Sequence, residues 1–343
     1  MAAPDDHPEL PEPKVGVLLI NLGTPDAPEA RAVRRYLAEF LSDPRVVEIP
    51  KLAWKPILHG FVLRTRPKKS AEAYNQIWTN EGSPLRAIAH RQTEALRKRL
   101  PDVSVHYAMR YGHPGIAAAL ENMTREGCTR ILVAPLYPQY SAATTATAND
   151  AVFGVLARMR WQPAIRTLPP YYDDPLYIGA LSENLSRQIA ALDFAPERLL
   201  LSFHGMPVRT LELGDPYHCH CRKTARLLAE SLGTVPGQGL SPDQIDVSFQ
   251  SRFGRAQWLE PATDATLAAY PKKGVRRVAV AAPGFSADCL ETLEELGIRG
   301  RHTFEHAGGE AFALLDCLND SPESIAMLER LIERELAGWR REE

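Results

Sequence analysis

His204 is the first residue whose type and position could do chemistry. It follows the apolar run LLLSF and stands immediately before Gly205. Such a run predicts a buried strand, so the histidine lies at the carboxyl end of that strand, and the glycine allows a sharp turn after it. A neutral imidazole can take up a proton or bind a metal ion near neutral pH. The alternative is a histidine that only satisfies a hydrogen bond within the turn.

A group of carboxylates follows another apolar run, VAVAA, within residues 283–296. Asp288, Glu291 and Glu295 are spaced i, i+3 and i+7, which predicts a helix over 287–296 with all three acids on one stripe. Aimed into a cleft opposite a histidine, this stripe would suit a divalent cation or a relay of protons. The alternative is that these are ordinary acidic residues near a helix start, where they favour the helix dipole.

The sequence YHCHC (217–221) brings Cys219 and Cys221 together with two histidines. Two thiols and two imidazoles could bind a soft metal. The C-x-C spacing is not the usual one for zinc, and a pair of thiols needs further ligands from elsewhere in the chain. The spacing alone favours the alternative, a flexible loop with exposed side chains.

An apolar stretch beside a basic one lies in KLAWKPILHGFVLRTRPKK (51–69). Such a segment could rest on an anionic membrane surface or line the mouth of a site for an apolar, acidic ligand. A core-packed helix with a solvated basic end is the alternative. The chain contains no G-x-x-x-x-G-K-[ST], and no G-x-G-x-x-G follows a strand, which counts against nucleotide and dinucleotide binding.

The elements that must position these residues are indicated by hydrophobic pattern. Apolar runs without alternation predict strands buried on both faces, as in a parallel sheet, at 15–20, 103–109, 130–136, 198–203, 245–249 and 277–282. Amphipathic segments predict helices at 26–43, 85–99, 114–127, 174–193, 217–232, 287–296 and 322–340. This alternation is typical of an α/β fold with right-handed crossovers.

The two halves of the chain echo each other. VLLINLGTP (17–25) resembles LLLSFHGMP (199–207), and MRYG (109–112) resembles SRFG (251–254). A third strand ends at Pro135 in the first half and at Pro283 in the second. The sequence therefore predicts two similar lobes that meet near residues 170–195, with strand ends from both facing one cleft.

Composition excludes several classes of function. The 343 residues carry a formal net charge of −2, so there is no basic field to hold nucleic acid. No apolar stretch approaches the length of a membrane-spanning helix, and residues 1–14 lack the apolar core of a secretory signal. Five cysteines do not suggest a disulfide framework, so a reducing cytoplasm is expected.

Seven segments together resemble one family, ferrochelatase, in a proteobacterial form. They occur in family order and span nearly the whole chain: LLINLGTP (18–25), YNQIWTNEGSPL (74–85), MRYGHP (109–114), PLYPQYSAATT (135–145), SFHGMP (202–207), FQSRFGRAQWLEPATD (249–264) and PGFSADCLETLEEL (283–296). The resemblance implies a type-II chelatase fold, in which two Rossmann-like lobes with parallel sheets surround a central porphyrin cleft. This agrees with the two lobes predicted from the echo.

A division of the chain follows from the resemblance and the echo. Residues 1–13 are expected to form a disordered tail. Residues 14–180 are expected to form the N-terminal α/β lobe, with a porphyrin-lip segment at 51–70. Residues 181–343 are expected to form the C-terminal α/β lobe with the metal and proton site, and the last helix to cross back.

The resemblance also implies a reaction and its residues. The reaction is insertion of Fe2+ into protoporphyrin IX, which gives protohaem and two protons in the last step of haem biosynthesis. His204 and Glu291 match the catalytic pair that binds iron or handles protons on opposite sides of the porphyrin. Asp288 and Glu295 match an acidic relay for protons or metal. The positions that match porphyrin contacts are Tyr74, Ser83, Arg110, Tyr111 and Trp258.

The sequence departs from the animal members of this family. Cys289 stands where those enzymes have a histidine two residues before the catalytic glutamate, and no role is assigned to it. Animal members carry an iron–sulfur cluster on C-terminal cysteines, whereas no cysteine follows Cys317 here. No cofactor is therefore expected to be required, with Fe2+ as substrate. A cluster on Cys219 and Cys221 is kept as the weaker alternative, because some bacterial members use internal cysteines.

The expected partners are a porphyrin and ferrous iron, with no nucleic acid. A cytoplasmic monomer is expected, with peripheral contact to a membrane where an apolar product leaves. Two alternatives stay open from the sequence. One is a related chelatase that acts on coproporphyrin or inserts another metal, such as cobalt. The other is a two-lobed module that binds haem or another small molecule without catalysis.

Overall fold

Two parallel four-stranded sheets form the framework of the protein in a computed structural model that describes residues 12–234, 240–254 and 256–340. The first sheet contains β1 (Lys14–Thr24), β2 (Val103–Gly112), β3 (Cys128–Pro135) and β4 (Ala164–Thr167). The second contains β5 (Arg198–His204), β6 (Ile245–Gln250), β7 (Arg277–Ala281) and β8 (Ala311–Leu314). Residues 1–11 of the expected tail lie outside the described residues.

The two sheets have the same topology. Their strand orders are β2-β1-β3-β4 and β6-β5-β7-β8, and every pairing is parallel. The central strands β1 and β5 stand where the chain changes direction across each sheet, which is the point where open α/β sheets bind ligands. The predicted α/β class with parallel sheets is therefore confirmed, and so is the echo between the halves.

Helices cover both faces of the sheets. They are α1 (Ala30–Phe40), α2 (Lys51–Ile57), α3 (Leu63–Ile77), α4 (Pro84–Arg99), α5 (Ile116–Arg125), α6 (Thr147–Leu156), α7 (Pro175–Ala190), α8 (Val208–Glu212), α9 (Tyr217–Gly233), α10 (Thr263–Ala269), α11 (Arg301–His306) and α12 (Pro322–Glu335). The described residues also form π-helices at Leu58–Val62, Ala142–Ala146 and Glu291–Gly300, and 3₁₀ turns at Pro242–Gln244 and Pro271–Lys273.

One apolar cluster joins the two lobes. It contains Leu19 of β1, Leu201 of β5 and Leu331 of α12, all of them buried. The last helix, α12, packs against α7, α4 and β3, so an element from the end of the chain lies on the N-terminal sheet. Burying apolar surface against both sheets fixes the lobes relative to each other, because separating them would return that surface to water.

The acidic segment folds differently from its prediction. A single α-helix was predicted over 287–296, but the structure has a π-helix at Glu291–Gly300 that continues into α11. A π-helix bonds i to i+5, so its side chains do not follow the α-helical spacing. Asp288 precedes the helix altogether. The predicted single stripe of three carboxylates is therefore wrong.

One edge strand of each sheet was not predicted. These two strands, β4 and β8, have four residues each, and no residue of β4 is buried. Among the described helices, none combines the length and apolarity that a bilayer crossing requires.

Gly23 generates a prediction about stability. It has φ 115°, and a Cβ at this position would lie 1.8 Å from the Tyr111 carbonyl oxygen. We expect Gly23→Ala to lower the free energy of unfolding by more than about 1 kcal/mol, because the side chain meets rigid backbone in a left-handed conformation. Urea unfolding of the purified variant measures this loss.

Gly154 supplies the matched control. It lies within α6, and nothing would contact an added Cβ within 4 Å. Gly154→Ala should raise the free energy of unfolding by roughly 0.5–1 kcal/mol, because alanine favours the helix. Equal stability of the two variants would contradict the assigned geometry of Gly23.

Candidate active site

His204 is held at the carboxyl end of β5. It aligns with Gln250, the last residue of the neighbouring strand β6. Its Nδ1 lies 2.7 Å from the Gly205 carbonyl oxygen. A carbonyl only accepts hydrogen bonds, so Nδ1 carries the proton, and in the neutral imidazole Nε2 keeps a lone pair. The partly buried His204 therefore offers one nitrogen for a proton or a metal ion.

Gly205 is required by the close approach of the neighbouring strand. Its N–H donates to the Gln250 carbonyl oxygen at 2.7 Å. A Cβ on Gly205 would lie 2.5 Å from the same oxygen and 3.3 Å from the Trp258 ring. Trp258 is buried, and its indole N–H donates to the Phe253 carbonyl oxygen at 3.1 Å. The loop after β6 thus packs directly behind the histidine turn.

Glu291 is tied to the same strand end. The Gln250 side-chain amide donates to the Glu291 carbonyl oxygen at 2.7 Å. The other end of that amide is fixed as well, because its oxygen accepts from the Ser202 hydroxyl at 2.8 Å. Gln250 therefore connects the strand that ends in His204 to the first residue of the π-helix. The structure therefore places the backbone of Glu291 at the sheet edge that carries His204.

The Glu291 carboxyl group lies among tyrosines of the N-terminal lobe. Burial raises the pKa values of Tyr36 and Tyr74 well above the ordinary range, and the nearby charge of Glu291 raises both further. Burial likewise raises the pKa of the Cys289 thiol, with Glu291 again adding to the rise. Glu291 thus faces neutral, buried side chains from α1 and α3.

Both carboxylate oxygens of Asp288 accept hydrogen bonds from neighbouring elements. One carboxylate oxygen accepts from the Thr292 hydroxyl at 2.7 Å, and the other accepts from the Asn319 amide at 2.6 Å. The second oxygen also accepts from the Cys317 N–H at 3.3 Å. These bonds join the start of the π-helix to the loop after β8. The relay role of Asp288 stays a prediction.

Glu295 makes a different contact. Its two oxygens accept from the backbone N–H of Ser251 at 2.7 Å and from the Ser251 hydroxyl at 2.6 Å. The structure therefore attaches Glu295 to the loop after β6 and Asp288 to the loop after β8. They face separate partners.

Arg110 and Tyr111 belong to a buried polar cluster around Asp43. The Asp43 carboxylate accepts from the Arg110 guanidinium, from the Thr147 hydroxyl and from the Tyr111 hydroxyl, the last at 2.9 Å. Arg110 Nε also donates to the Thr147 carbonyl oxygen at 2.9 Å. Tyr111 has no exposed surface, so it does not reach a ligand in this conformation. The sequence analysis did not identify Asp43.

Electrostatics in this cluster favour the charged carboxylate. Burial alone would raise the pKa of Asp43. Hydrogen bonds from Thr147, the Arg45 backbone N–H and Tyr111, together with the charge of Arg110, outweigh burial and hold the pKa below its usual value. Asp43 is therefore ionised and paired near neutral pH.

The remaining predicted porphyrin contacts lie where the lobes meet. Tyr74 is buried on α3, beside Glu291. Ser83 is buried immediately before α4, and Leu85 in the first turn of that helix packs with Cys289 in a small apolar cluster. Elements of the N-terminal lobe thus touch the segment that carries Glu291.

The two cysteines proposed for a cluster do not come together. Cys219 and Cys221 both lie on α9, where residues two apart point in different directions. Cys219 is exposed, and Cys221 is completely buried. Within residues 12–234, 240–254 and 256–340, no group of three or more His, Cys, Asp or Glu could hold a metal ion.

The lip segment carries exposed apolar side chains. Leu52 is 93% exposed and Phe61 is 66% exposed. Arg66 of α3 lies over the ring of Phe253 in the opposite lobe, 5.7 Å from its centroid. The segment therefore packs one face into the core through Leu58 and Leu63, and Arg66 brings its basic end beside the loop after β6.

Gln250 and Ser251 are functional candidates that the sequence analysis missed. Both lie within the motif FQSRFGRAQW, in which the sequence analysis assigned a site role only to Trp258. Their place after a predicted buried strand was the available signal, because polar residues there reach the sheet edge that binds ligands.

Comparison with known proteins identifies similar chains. A family model described as Ferrochelatase matches residues 14–336. The chain is 52% identical over 344 residues to "Ferrochelatase" of Rhizobium meliloti (strain 1021), covering 99% of this chain and 100% of that protein. It is 54% identical over 323 residues to "Ferrochelatase 2" of Shewanella oneidensis, covering 93% of this chain and 97% of that protein.

Two solved structures share the fold. "SirB from Bacillus subtilis with Fe3+" superimposes with a TM-score of 0.56 at 12% identity, covering 95% of this chain and 97% of that chain. CbiX, described as the terminal enzyme for biosynthesis of siroheme in denitrifying bacteria, gives a TM-score of 0.50 at 16% identity, covering 93% and 98%. The expected two-lobed type-II chelatase fold is confirmed.

The Asp43 cluster generates a prediction. Asp43→Asn leaves the mostly buried Arg110 guanidinium without its counter-charge, so we expect a loss of about 3 kcal/mol in the free energy of unfolding near neutral pH. The folded pKa of Asp43 lies below the unfolded value of about 3.9, so its stabilisation is complete above about pH 5 and is lost as the pH falls through the folded pKa. Urea unfolding at several pH values measures the difference.

Asp150→Asn is the matched control. Asp150 pairs with Arg45 at 2.9 Å on the surface, where its side chain is 51% exposed. Its loss should cost less than about 1 kcal/mol. A similar small cost for Asp43→Asn, independent of pH, would refute the buried ion pair.

Proposed function

The chain belongs to the ferrochelatase family, and from this premise we propose how its residues insert Fe2+ into protoporphyrin IX. The protein is a metal chelatase, a lyase that forms protohaem in haem biosynthesis. Insertion replaces two pyrrole protons with the metal ion. The alternative activity on coproporphyrin or with another metal is not favoured, since the relatives carry the name Ferrochelatase.

We propose that the gap between the two sheet edges binds a distorted porphyrin. A flat macrocycle keeps its nitrogen lone pairs in the ring plane, so metal entry needs the ring to bend. A rigid cleft that fits the bent ring better than the flat one lowers the barrier to insertion. The shared apolar core of the two lobes supports this rigidity.

His204 acts as the proton acceptor in this proposal. Its Nδ1 is committed to the Gly205 carbonyl, so Nε2 takes up the two pyrrole protons one after the other and passes each to water. Glu291 supplies negative charge for Fe2+ from the other side of the ring. The observation that carries the proposal is the Gln250 amide, which bonds the Glu291 carbonyl and lies opposite His204 in the sheet.

The residues predicted to contact the porphyrin have three roles in the proposal. Tyr74, Ser83 and Trp258 line the region between the lobes. Arg110 uses Nε and Nη2 for Thr147 and Asp43, so its Nη1 takes no part in those bonds and can bind a propionate. Tyr111 is buried, so we assign it a positioning role through Asp43.

We also propose that the segment 51–70 touches a membrane surface where the apolar product leaves. The exposure of Leu52 and Phe61, next to basic residues, supports this contact. A cytoplasmic location is part of the proposal, and five free cysteines suit a reducing compartment. The proposed active unit is a monomer that needs no resident cofactor.

The proposed role of His204 gives a prediction about activity. His204→Ala should fold normally and lower the rate of Fe2+ insertion by about 100-fold or more, because the proton acceptor is lost. An anaerobic optical assay with protoporphyrin IX measures the rate, and circular dichroism checks the fold. His302→Ala, which removes an exposed histidine on α11, is the matched control and should insert iron at the normal rate. Near-normal turnover in His204→Ala would remove the main assignment.

The proposed role of Glu291 gives another prediction about activity. Glu291→Gln keeps the shape and the backbone carbonyl that Gln250 binds, but it removes the charge. We expect kcat to fall by at least about tenfold while porphyrin affinity changes little. Steady-state kinetics and porphyrin titration without metal separate the two effects. Loss of porphyrin binding would instead show that Glu291 has a structural role.

A further inference from the structure

Ser251 has a backbone conformation that needs an explanation. It follows β6 directly and has φ 63°, in the left-handed region that serine rarely adopts. Residues held in such regions are strained and persist only when their surroundings fix them. At Ser251, the fixing partner is Glu295 of the π-helix, which accepts from both its N–H and its hydroxyl.

The two bonds form a compact link between elements that are distant in sequence. We call the Glu295 carboxylate with the Ser251 N–H and hydroxyl the Ser251 clasp. The distances are 2.7 Å and 2.6 Å, and each bond is strengthened by the charge on the acceptor. The Glu295 side chain is only 20% exposed, so water competes weakly for it. The clasp therefore fixes both the position and the strained turn of Ser251.

The residues on either side of Ser251 contact the segments that carry the proposed catalytic groups. Gln250, immediately before it, donates to the Glu291 carbonyl oxygen and accepts from the Gly205 N–H next to His204. Phe253, two residues after it, accepts from the indole N–H of Trp258, whose ring packs on Gly205. A shift of Ser251 would move all of these contacts together.

We propose that Glu295 is a positioning residue, and that the Ser251 clasp holds the loop after β6 in the shape that aligns His204, Glu291 and Trp258 for the porphyrin. This inference rests on the proposed function of those residues. It adds to the relay role expected for Glu295, which stays a prediction. Both carboxylate oxygens of Glu295 accept from Ser251, so the clasp uses the charge of Glu295 to hold the loop.

The test is a double-mutant cycle on porphyrin binding. Ser251→Ala, Glu295→Gln and the double variant are titrated with protoporphyrin IX in the absence of metal, and Kd is taken from the porphyrin fluorescence. Each single variant should raise Kd by about tenfold, the effect of losing one charged hydrogen bond. The double variant should also raise Kd by about tenfold rather than about 100-fold, because both changes break the same link.

Two further variants keep the test decisive. Ser251→Gly loses the hydroxyl but adopts the left-handed conformation freely, so it should raise Kd less than Ser251→Ala does and should fold even if Ser251→Ala does not. Glu305→Gln is the matched control. Glu305 lies on α11, which continues the π-helix, and pairs with Arg301 at 3.8 Å on the surface, away from the clasp, so its variant should bind porphyrin like the unmodified protein.

Two outcomes overturn the inference. Additive losses in the cycle would mean that Ser251 and Glu295 act separately. Normal porphyrin affinity in Ser251→Ala and Glu295→Gln, with turnover lost only in the latter, would mean that Glu295 acts directly on metal or protons. A failure of the proposed function would be seen in a different experiment. Normal turnover in His204→Ala would contradict the proposed function, but it would not change the coupling between Ser251 and Glu295 in the porphyrin-binding cycle.

Discussion

A parallel sheet that is covered on both faces leaves room for polar chemistry only where its strands end. In β1, residues Val17 and Leu18 are fully buried, and in β5 the same holds for Leu199 and Leu200. The polar groups of interest therefore gather at the carboxyl ends of the strands, as His204 and Gln250 do. Because both sheets follow the same strand order, each lobe presents one such edge, and the cleft is the space between them.

The polar residues that lie inside the second sheet fix the orientation of the Gln250 side-chain amide. Ser202 and Ser248 are completely buried, and both hydroxyls bond the Thr263 hydroxyl, at 2.8 Å and 2.9 Å. Ser202 also bonds the oxygen of the Gln250 amide, which leaves the amide nitrogen to point to the Glu291 carbonyl. A buried amide with both ends satisfied has one favourable orientation, so these hydroxyls determine where the π-helix begins relative to β5.

The sequence predicts features that depend on neighbouring residues better than contacts between residues that are distant in the chain. The central strands and His204 were predicted because long apolar runs and the residue after them are local features. The edge strand β4 was missed because it is short and has no buried residue. Motif matching placed Tyr111 and Glu295 near the site but could not give their partners. Those partners, Asp43 and Ser251, lie 68 and 44 residues away and are fixed only by the tertiary fold.

The π-helix places Glu291 at the contact between the two lobes, so the position of Glu291 relative to His204 involves both lobes. Leu290 and Leu293, on either side of Glu291, pack in the apolar cluster of the N-terminal lobe with Tyr36 and Tyr74. Glu291 belongs to the C-terminal lobe by sequence, but its surroundings come from the other lobe. His204, in contrast, is held by its own sheet through Gly205 and β6. The separation of the proposed pair therefore depends on the packing of one lobe on the other as well as on the Gln250 link, and a change that shifts this packing acts on the geometry of the site without touching either side chain.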